Sequence, residues 1–345
     1  MSNAPTPLLR VEDLRVHYPI RAGLLQRTVG QVRAVDGITL SIFPGETLGL
    51  VGESGCGKTT FGQALVRVIE PTTGKILFTE ADGQATDLAH LSESELRRYR
   101  SEIRMIFQDP FASLNPRRRV IDLIGESLRN FRPLTEREVE QTVADLLQKV
   151  GLRPEYLTRY PYAFSGGERQ RIGIARALAV HPKLVVADEC VSALDVSVQA
   201  QTLNLLQDLQ EEFSLTFLFI SHDLSVVEYI ADRVAVMYAG RVVELAATEK
   251  IFARPRHPYT AALLEAVPRP DPKAARTAKR IRLKGEVADP ANRPPGCAFH
   301  TRCPYAAEIC RSVDPMPQLL AGHEVACHFA AELELKGVSA DAAFQ

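Results

Sequence analysis

Gly52-Glu53-Ser54-Gly55-Cys56-Gly57-Lys58-Thr59 follows the pattern G-x-x-x-x-G-K-[ST]. The apolar run Glu46 to Val51 before it reads as a strand. A helix is expected after it, from about Lys58 to Ile69, stopped by Pro71 and Gly74. That strand–loop–helix setting is the context the pattern requires. Glycines let the backbone wrap an anion with its N–H groups pointing inward. The helix turns its positive end on the same anion. Lys58 supplies a mobile charge for the outer phosphates and Thr59 a hydroxyl for Mg²⁺. Gly52, Ser54, Gly55, Cys56, Gly57 and Thr60 complete the expected cradle. A coincidental glycine-rich turn would not explain the flanking elements. The motif alone specifies a nucleotide, not a reaction.

Two further stretches bear on the reaction. Leu184-Val185-Val186-Ala187-Asp188-Glu189 is an apolar strand ending in two carboxylates. Asp188 is placed to bind Mg²⁺ through water, and Glu189 to orient or deprotonate an attacking water. Alone, the pair would read as ordinary surface acids; the phosphate loop upstream changes that reading. Phe164-Ser165-Gly166-Gly167-Glu168-Arg169-Gln170 opens a helix, with Ser165 and Glu168 spaced as a capping box. The box does not explain two successive glycines, which leave the helix end open to a ligand. Serine and glycine N–H groups there make a second phosphate site. Two such sites far apart in one chain suggest a nucleotide held between two subunits.

The chain has 345 residues, 46% apolar and 24% charged, ordinary for a globular protein. Its 41 basic and 42 acidic residues leave a net charge of -1, so no global field favours nucleic acid. The start lacks a secretory pattern, and the longest apolar runs are strand-length, well short of the about 20 residues that span a bilayer. A soluble chain is expected, with any membrane role exercised through partners. Residues 8–51 read as short strands, with a turn at Asp36-Gly37. Ser92-x-x-Glu95 opens a charged helix through Tyr99, and 110–180 is helix-rich. There Val139, Val143, Leu146, Leu147 and Val150 recur at helical spacing before Gly151. A helix is expected from about Val198 to Phe213, then strands at Thr216 to Ser221, Val234 to Met237 and Arg241 to Glu244. The alternation implies an α/β sheet with helices on its faces. Pro268 to Pro272 resembles a linker, the basic run Lys273 to Lys284 a solvated tether, and the last dozen residues a frayed tail.

Of the six cysteines, Cys56 and Cys190 are isolated. The others form Cys297-x5-Cys303-x6-Cys310-x16-Cys327 in a Pro-rich segment too short for a good core. Without an export signal, clustered thiols point to metal rather than disulfides. Four thiolates suit zinc or an iron–sulfur cluster, and the spacing decides neither. His300, His323 and His328 could substitute; four reduced core cysteines are the plainer alternative.

Ser165 to Gln170 resembles the signature motif of ABC ATPases, usually Leu-Ser-Gly-Gly-Gln; Phe164 and Glu168 depart from it. In order along the chain, Gln108, after Ile103 to Phe107, resembles the Q-loop. Ser192-Ala193-Leu194-Asp195 resembles the D-loop, and His222, after Leu218-Phe219-Ile220, the switch histidine. Tyr18 resembles the adenine-stacking aromatic, with His17 and Phe43 as residues that could be mistaken for it. The resemblance covers roughly residues 8–260. It implies a P-loop NTPase core with an antiparallel β subdomain and a helical subdomain at about 110–180. It also implies two ATPase subunits head to tail, each ATP lying between the phosphate loop of one and Ser165, Gly166, Gly167 and Glu168 of the other. Glu189 would then be general base, His222 would brace the γ-phosphate, Gln108 would sense Mg²⁺, and Asp195 would lie at the nucleotide interface.

His257-Pro258-Tyr259-Thr260-Ala261-Ala262-Leu263-Leu264 and the cysteine stretch resemble the C-terminal region of dipeptide and oligopeptide importer ATPases. That implies an extension over 261–345 and a four-iron, four-sulfur cluster on Cys297, Cys303, Cys310 and Cys327, with zinc as the alternative. Pro19 to Leu25 and Gly30 to Gly37 are similar to the second ATPase of such systems. The resemblance therefore implies a homologous ATPase partner, two transmembrane permeases and an extracytoplasmic solute-binding protein, at the cytoplasmic face of the inner membrane. Di- or oligopeptides are the expected solute, with nickel or another small solute of the same subfamily as the alternative. A non-transport ABC ATPase is the rival from another class, but the long coiled coil of repair members has no room here and the paired cassettes of translation factors are missing. Cys56 stands where serine is usual and could confer sensitivity to oxidation; Cys190 stands where proline is common.

Overall fold

The computed structural model describes residues 5–23, 26–266 and 288–338. The expected linker and basic run, Leu24, Leu25 and the end of the tail lie outside the described residues. The chain forms two compact, discontinuous units. A helix-rich unit contains Met1–Leu8, Ile42–Glu46 and His90–Ile220; a strand-rich unit contains Leu9–Ser41, Thr47–Ala89 and Ser221–Gln345.

The strand-rich unit begins with β1 (Leu9–Ala22) and β2 (Arg27–Ile42). On β1, Leu9 and Val11 are buried, then Leu14 and Val16. The inward phase changes where the register shifts between Glu12 and Arg15 and Asp13 takes a φ of 43°, the mark of a bulge. The turn expected at Asp36-Gly37 is not formed: β2 runs through it. Gly37, at φ 83°, reshapes the strand locally, while the buried Asp36 side chain is tied to His17, Arg241 and Arg293. Next come β3 (Thr47–Val51), buried along its whole length, and α1 (Lys58–Leu65). Helix α1 stops short of Ile69 because Arg67 turns left-handed, at φ 54°. With β4 (Thr73–Thr79) and β5 (Ala85–Asp87), the antiparallel sheet has the order β2-β1-β4-β5.

The helix-rich unit opens with α2 (Glu93–Glu102), capped reciprocally by Ser92 and Glu95 as the sequence indicates. Strand β6 (Ile103–Ile106) precedes four helices: α3 (Pro110–Ser113), α4 (Val120–Phe131), α5 (Glu136–Lys149) and α6 (Gly166–Leu178). Helix α5 buries Val139, Val143, Leu146 and Leu147 and ends before Gly151, whose φ is 72°. Then follow β7 (Leu184–Asp188), α7 (Val196–Phe213) and β8 (Thr216–Ser221). β7 pairs in parallel with β6 on one side and β8 on the other. Both β7 and β8 are buried throughout, as their unbroken apolar runs require.

The strand-rich unit resumes with α8 (Leu224–Ile230), β9 (Arg233–Tyr238), β10 (Arg241–Ala247), α9 (Thr248–Ala253) and α10 (Pro258–Ala266). The cysteine segment adds a short helix at Glu308–Ser312 and strands β11 (Gln318–Leu320) and β12 (His323–Val325). Within this unit the strands run in the order β11-β12-β10-β9-β3. β3 and β9 are parallel, and the remaining pairs antiparallel. The cysteine segment is therefore built onto the sheet. Among the described residues no helix is long and apolar enough to cross a membrane.

Candidate functional site

The phosphate loop leaves β3 and enters α1 as its spacing predicts. Gly57 caps the helix with φ 104°, and a Cβ there would stand 1.9 Å from the Ala34 carbonyl oxygen. Only glycine meets both conditions. Lys58 is buried, and its Nζ donates to the carbonyls of Gly52 at 2.8 Å and Glu53 at 3.1 Å. Ser54 and Gly55 are exposed, Thr59 and Thr60 half-buried. Cys56 is buried, and burial pushes its thiol up despite Lys58. Little thiolate forms at neutral pH, which opposes the oxidation sensitivity its position suggests.

In the helix-rich unit, buried Asp188 ends β7 and Glu189 follows it at a φ of 44°. A non-glycine residue there is strained. The Glu189 N–H donates to the Ile220 carbonyl at 2.9 Å, and Ser192 N–H and Oγ donate to the Glu189 carbonyl at 3.1 and 2.9 Å. The backbone is thus clamped on both sides, which fixes where the carboxylate leaves the strand. Gln108 Nε2 donates to Glu189 Oε2 at 2.9 Å. Two residues singled out separately in the sequence therefore meet.

Ser165 and Glu168 form the capping box at the start of α6. Ser165 N–H and Oγ donate to Glu168 Oε2 at 2.9 and 2.8 Å, and Glu168 N–H donates back to Ser165 Oγ at 3.3 Å. The two glycines divide. A Cβ on Gly166 would meet nothing within 4 Å, whereas one on Gly167 would lie 2.7 Å from Val198 Cγ1 on α7. Packing alone accounts for Gly167, leaving Gly166 as the glycine that keeps the helix end open. Asp195 caps α7, accepting from Val198 N–H at 3.0 Å and Ser197 Oγ at 2.7 Å, and the Val198 bond leads in lowering its pKa. Cys190 is buried beside this turn, its thiol pushed up to about 12 by burial, as an inert small residue would be.

In the strand-rich unit, exposed His222 follows β8 and precedes Asp223, the cap of α8. Tyr18 on β1 is 40% exposed, whereas His17 is turned to Asp36 at 3.1 Å. Of the two rings, that of Tyr18 is the more exposed.

All six cysteines are thiols. Cys297, Cys303, Cys310 and Cys327 line one small cavity with His300, His328, Phe299 and Leu333. Burial foremost, then the neighbouring thiols, pushes Cys303 up to about 11 and Cys327 up to about 12. The donors suit a thiophilic metal centre in kind. Among the described residues, however, no three His, Cys, Asp or Glu side chains stand as a metal-holding group. His323 is committed to buried Glu244 at 2.8 Å, and His300 and His328 ring nitrogens donate to the carbonyls of Cys297 and Val313, both at 2.9 Å. The substitutions open to these histidines thus compete with existing bonds.

Sequence reasoning missed two neighbours of the phosphate loop. Tyr259 Oη accepts from Glu53 N–H at 2.9 Å, and Arg302 grips the Glu53 carboxylate at 2.6 and 2.9 Å. Neither carries a local signal, because both partners are distant in sequence.

Comparison with known proteins bears on the family and the fold. Residues 35–192 match the family described as ABC transporter, and residues 243–310 the oligopeptide/dipeptide transporter C-terminal region. The chain is 52% identical over 323 residues to the oligopeptide transport ATP-binding protein AppF of Bacillus subtilis, covering 93% of this chain and 97% of that one. It is 48% identical to OppF of Salmonella typhimurium, likewise an oligopeptide transport ATP-binding protein, over 93% and 95% of the two chains. Among solved structures, cbiO1 of Clostridium perfringens, part of the ABC transporter complex cbiONQ, aligns with a TM-score of 0.59 at 28% identity. The alignment covers 71% of this chain and 90% of cbiO1. The ATP-binding cassette MJ0796 aligns at 0.60 over 70% and 98% of the two chains; at 24% identity that likeness speaks to fold.

Proposed function

The chain belongs to the family of ABC transporter ATP-binding subunits that serve oligopeptide transport, and from that premise we propose how its residues divide the work. It is an ATPase that couples ATP hydrolysis to peptide import. The N–H groups of residues 52–57 and the α1 N-terminus cradle the phosphates. Lys58 exchanges the Gly52 and Glu53 carbonyls for the outer phosphates. Thr59, Gln108 and, through water, Asp188 would hold Mg²⁺, which neutralises charge building on the phosphates. Glu189 orients and deprotonates the attacking water, and Gln108 leaves its carboxylate to sense the nucleotide. His222 braces the γ-phosphate, and Tyr18 stacks on adenine. Ser54, Gly55, Cys56 and Thr60 shape the cradle. Ser165, Gly166, Gly167 and Glu168 face the nucleotide of a second subunit, with Asp195 at that interface. The observation that supports the catalytic assignment is the 2.9 Å bond between Gln108 and Glu189, which brings these two side chains together.

The domain scheme is a nucleotide-binding domain at 8–260, with its helical part at about 110–180, and an extension at 261–345. The second subunit is a homologous ATPase, and the dimer docks on two permeases at the cytoplasmic face of the membrane, fed by a solute-binding protein. Cys297, Cys303, Cys310 and Cys327 would hold a four-iron, four-sulfur cluster; that all four line one cavity supports this, with zinc the rival. Anaerobic purification is expected to give iron and acid-labile sulfide that fall when Cys303 is changed to Ser; stoichiometric zinc would replace that assignment.

The assembly is tested by tagging the N-terminus, solubilising native membranes in mild detergent and identifying co-purifying chains by mass spectrometry. Two multi-span permeases and a homologous ATPase are expected. Soluble partners alone would overturn the importer reading.

A further inference from the structure

We propose that Arg302, on the cysteine segment, is a positioning residue for ATP binding: it holds Glu53 so that the phosphate loop is set before the nucleotide arrives. The inference rests on the reading of that loop given above.

Glu53 is held at three points. Its N–H donates to Tyr259 Oη at 2.9 Å. Its carboxylate receives Arg302 Nη1 at 2.6 Å and Nη2 at 2.9 Å, a bidentate, charge-assisted fork. Its carbonyl accepts from Lys58 Nζ at 3.1 Å. The peptide on either side of Glu53 therefore cannot turn without breaking one of these bonds. The lysine that must reach the outer phosphates rests on the residue that Arg302 grips.

Arg302 is itself well fixed. Its side chain is only 5% exposed. The guanidinium carbon lies 5.9 Å from the Tyr238 ring centre, and Tyr238 packs edge-on against Tyr259 and Phe299 at 4.7 and 5.3 Å. The N–H groups of Arg302 and Cys303 both donate to the Phe299 carbonyl at 3.0 Å. This turn lies between Cys297 and Cys303, so the cysteine segment and the phosphate loop share one rigid contact. Burying such a fork is costly, the more so because Arg302 Nε is buried with no hydrogen-bond partner among the described residues. One whose acceptor also supports Lys58 does more than fasten a tail. It lowers the ordering cost that nucleotide binding would otherwise carry.

The expected signature is a loss in binding without a loss in chemistry. In the full-length chain, Arg302→Met should raise the Kd for Mg-ATP, and KM in the assembled transporter, roughly tenfold, with kcat kept within about twofold. Arg302→Lys, which keeps charge but not the fork, should fall between. Glu53→Gln should weaken binding similarly, and the double variant should be no worse than either single one. Iron and zinc content, with thermal melting, is measured on each variant. An unchanged Kd, additive losses, or kcat falling with KM as the melting temperature drops would overturn the proposal; if Arg302→Met does not fold, Arg302→Lys reads the same split. Failure of the wild-type chain to bind Mg-ATP, or binding that survives Lys58→Ala, would instead overturn the reading of the loop itself.

Discussion

Glu189 carries a backbone strain that an ordinary strand end does not need. Its φ of 44° costs on the order of 1–3 kcal/mol for a side chain with a Cβ. Bonds to Ile220 and from Ser192 hold it there and aim the carboxylate at Gln108. With Glu189 as the proposed base, Glu189→Gln keeps the shape and removes the carboxylate, so hydrolysis should fall on the order of 10²-fold or more while ATP still binds. Size-exclusion chromatography with Mg-ATP should then show a trapped dimer, and unchanged turnover would remove Glu189 from the role. Gly57 is constrained more sharply. Gly57→Ala adds a Cβ that would stand 1.9 Å from the Ala34 oxygen at a φ of 104°. The loop must deform, so nucleotide binding should be lost; equilibrium dialysis with labelled ATP reads this directly.

On the function proposed above, the start of α6 would combine a structural task with a binding task, and its two glycines allow the tasks to be tested separately. Ser165→Ala removes the cap and should cost about 1 kcal/mol. Gly167→Ala should cost roughly 1 kcal/mol or more, because Val198 must move. Gly166→Ala meets open space, so melting should be unchanged while turnover of the assembled transporter drops at least roughly tenfold, as a methyl enters the path of the partner's phosphate. Turnover that survives in Gly166→Ala would mean that this helix end does not face nucleotide. The stretch also shows what a sequence makes legible. The boxes at Ser92 and Ser165, the loop from Gly52 to Thr59 and the strand ending in Asp188 are local patterns, and each forms where its spacing puts it. The turn expected at Asp36-Gly37 failed because a glycine with positive φ also suits a strand that does not reverse. β11 and β12 were not foreseen because three-residue strands have no period of their own; β12 is defined by its pairing with β10. Arg302 was invisible for the same reason: its partner is 249 residues away.

Three separate elements of the strand-rich unit meet at one buried carboxylate. Glu244 on β10 is fully buried and accepts from the N–H groups of Arg256 and His257 at 2.7 and 3.0 Å and from His323 Nδ1 at 2.8 Å. It thereby joins β10 to the entry of α10 and to β12. His257 Nδ1 accepts from Tyr259 N–H at 3.1 Å, so this imidazole is neutral with its proton on Nε2. Burial drives its pKa down to about 4, although Glu244 pulls the other way. Below its unfolded value of about 6.5 the unfolded chain takes up a proton that the folded chain refuses. Stability should therefore fall as pH drops from about 6.5, and this contribution should level off below about 4, at a cost of at most roughly 3 kcal/mol. Urea unfolding at pH 7, 6 and 5 measures the slope. His257→Asn, which can keep an acceptor toward Tyr259 but does not titrate, should be less stable at pH 7 and lose less on acidification, so the two curves converge. Parallel curves would place the acid sensitivity elsewhere in the unit. Convergence would make His257 the group through which protonation loosens the contact between sheet, helix and cysteine segment.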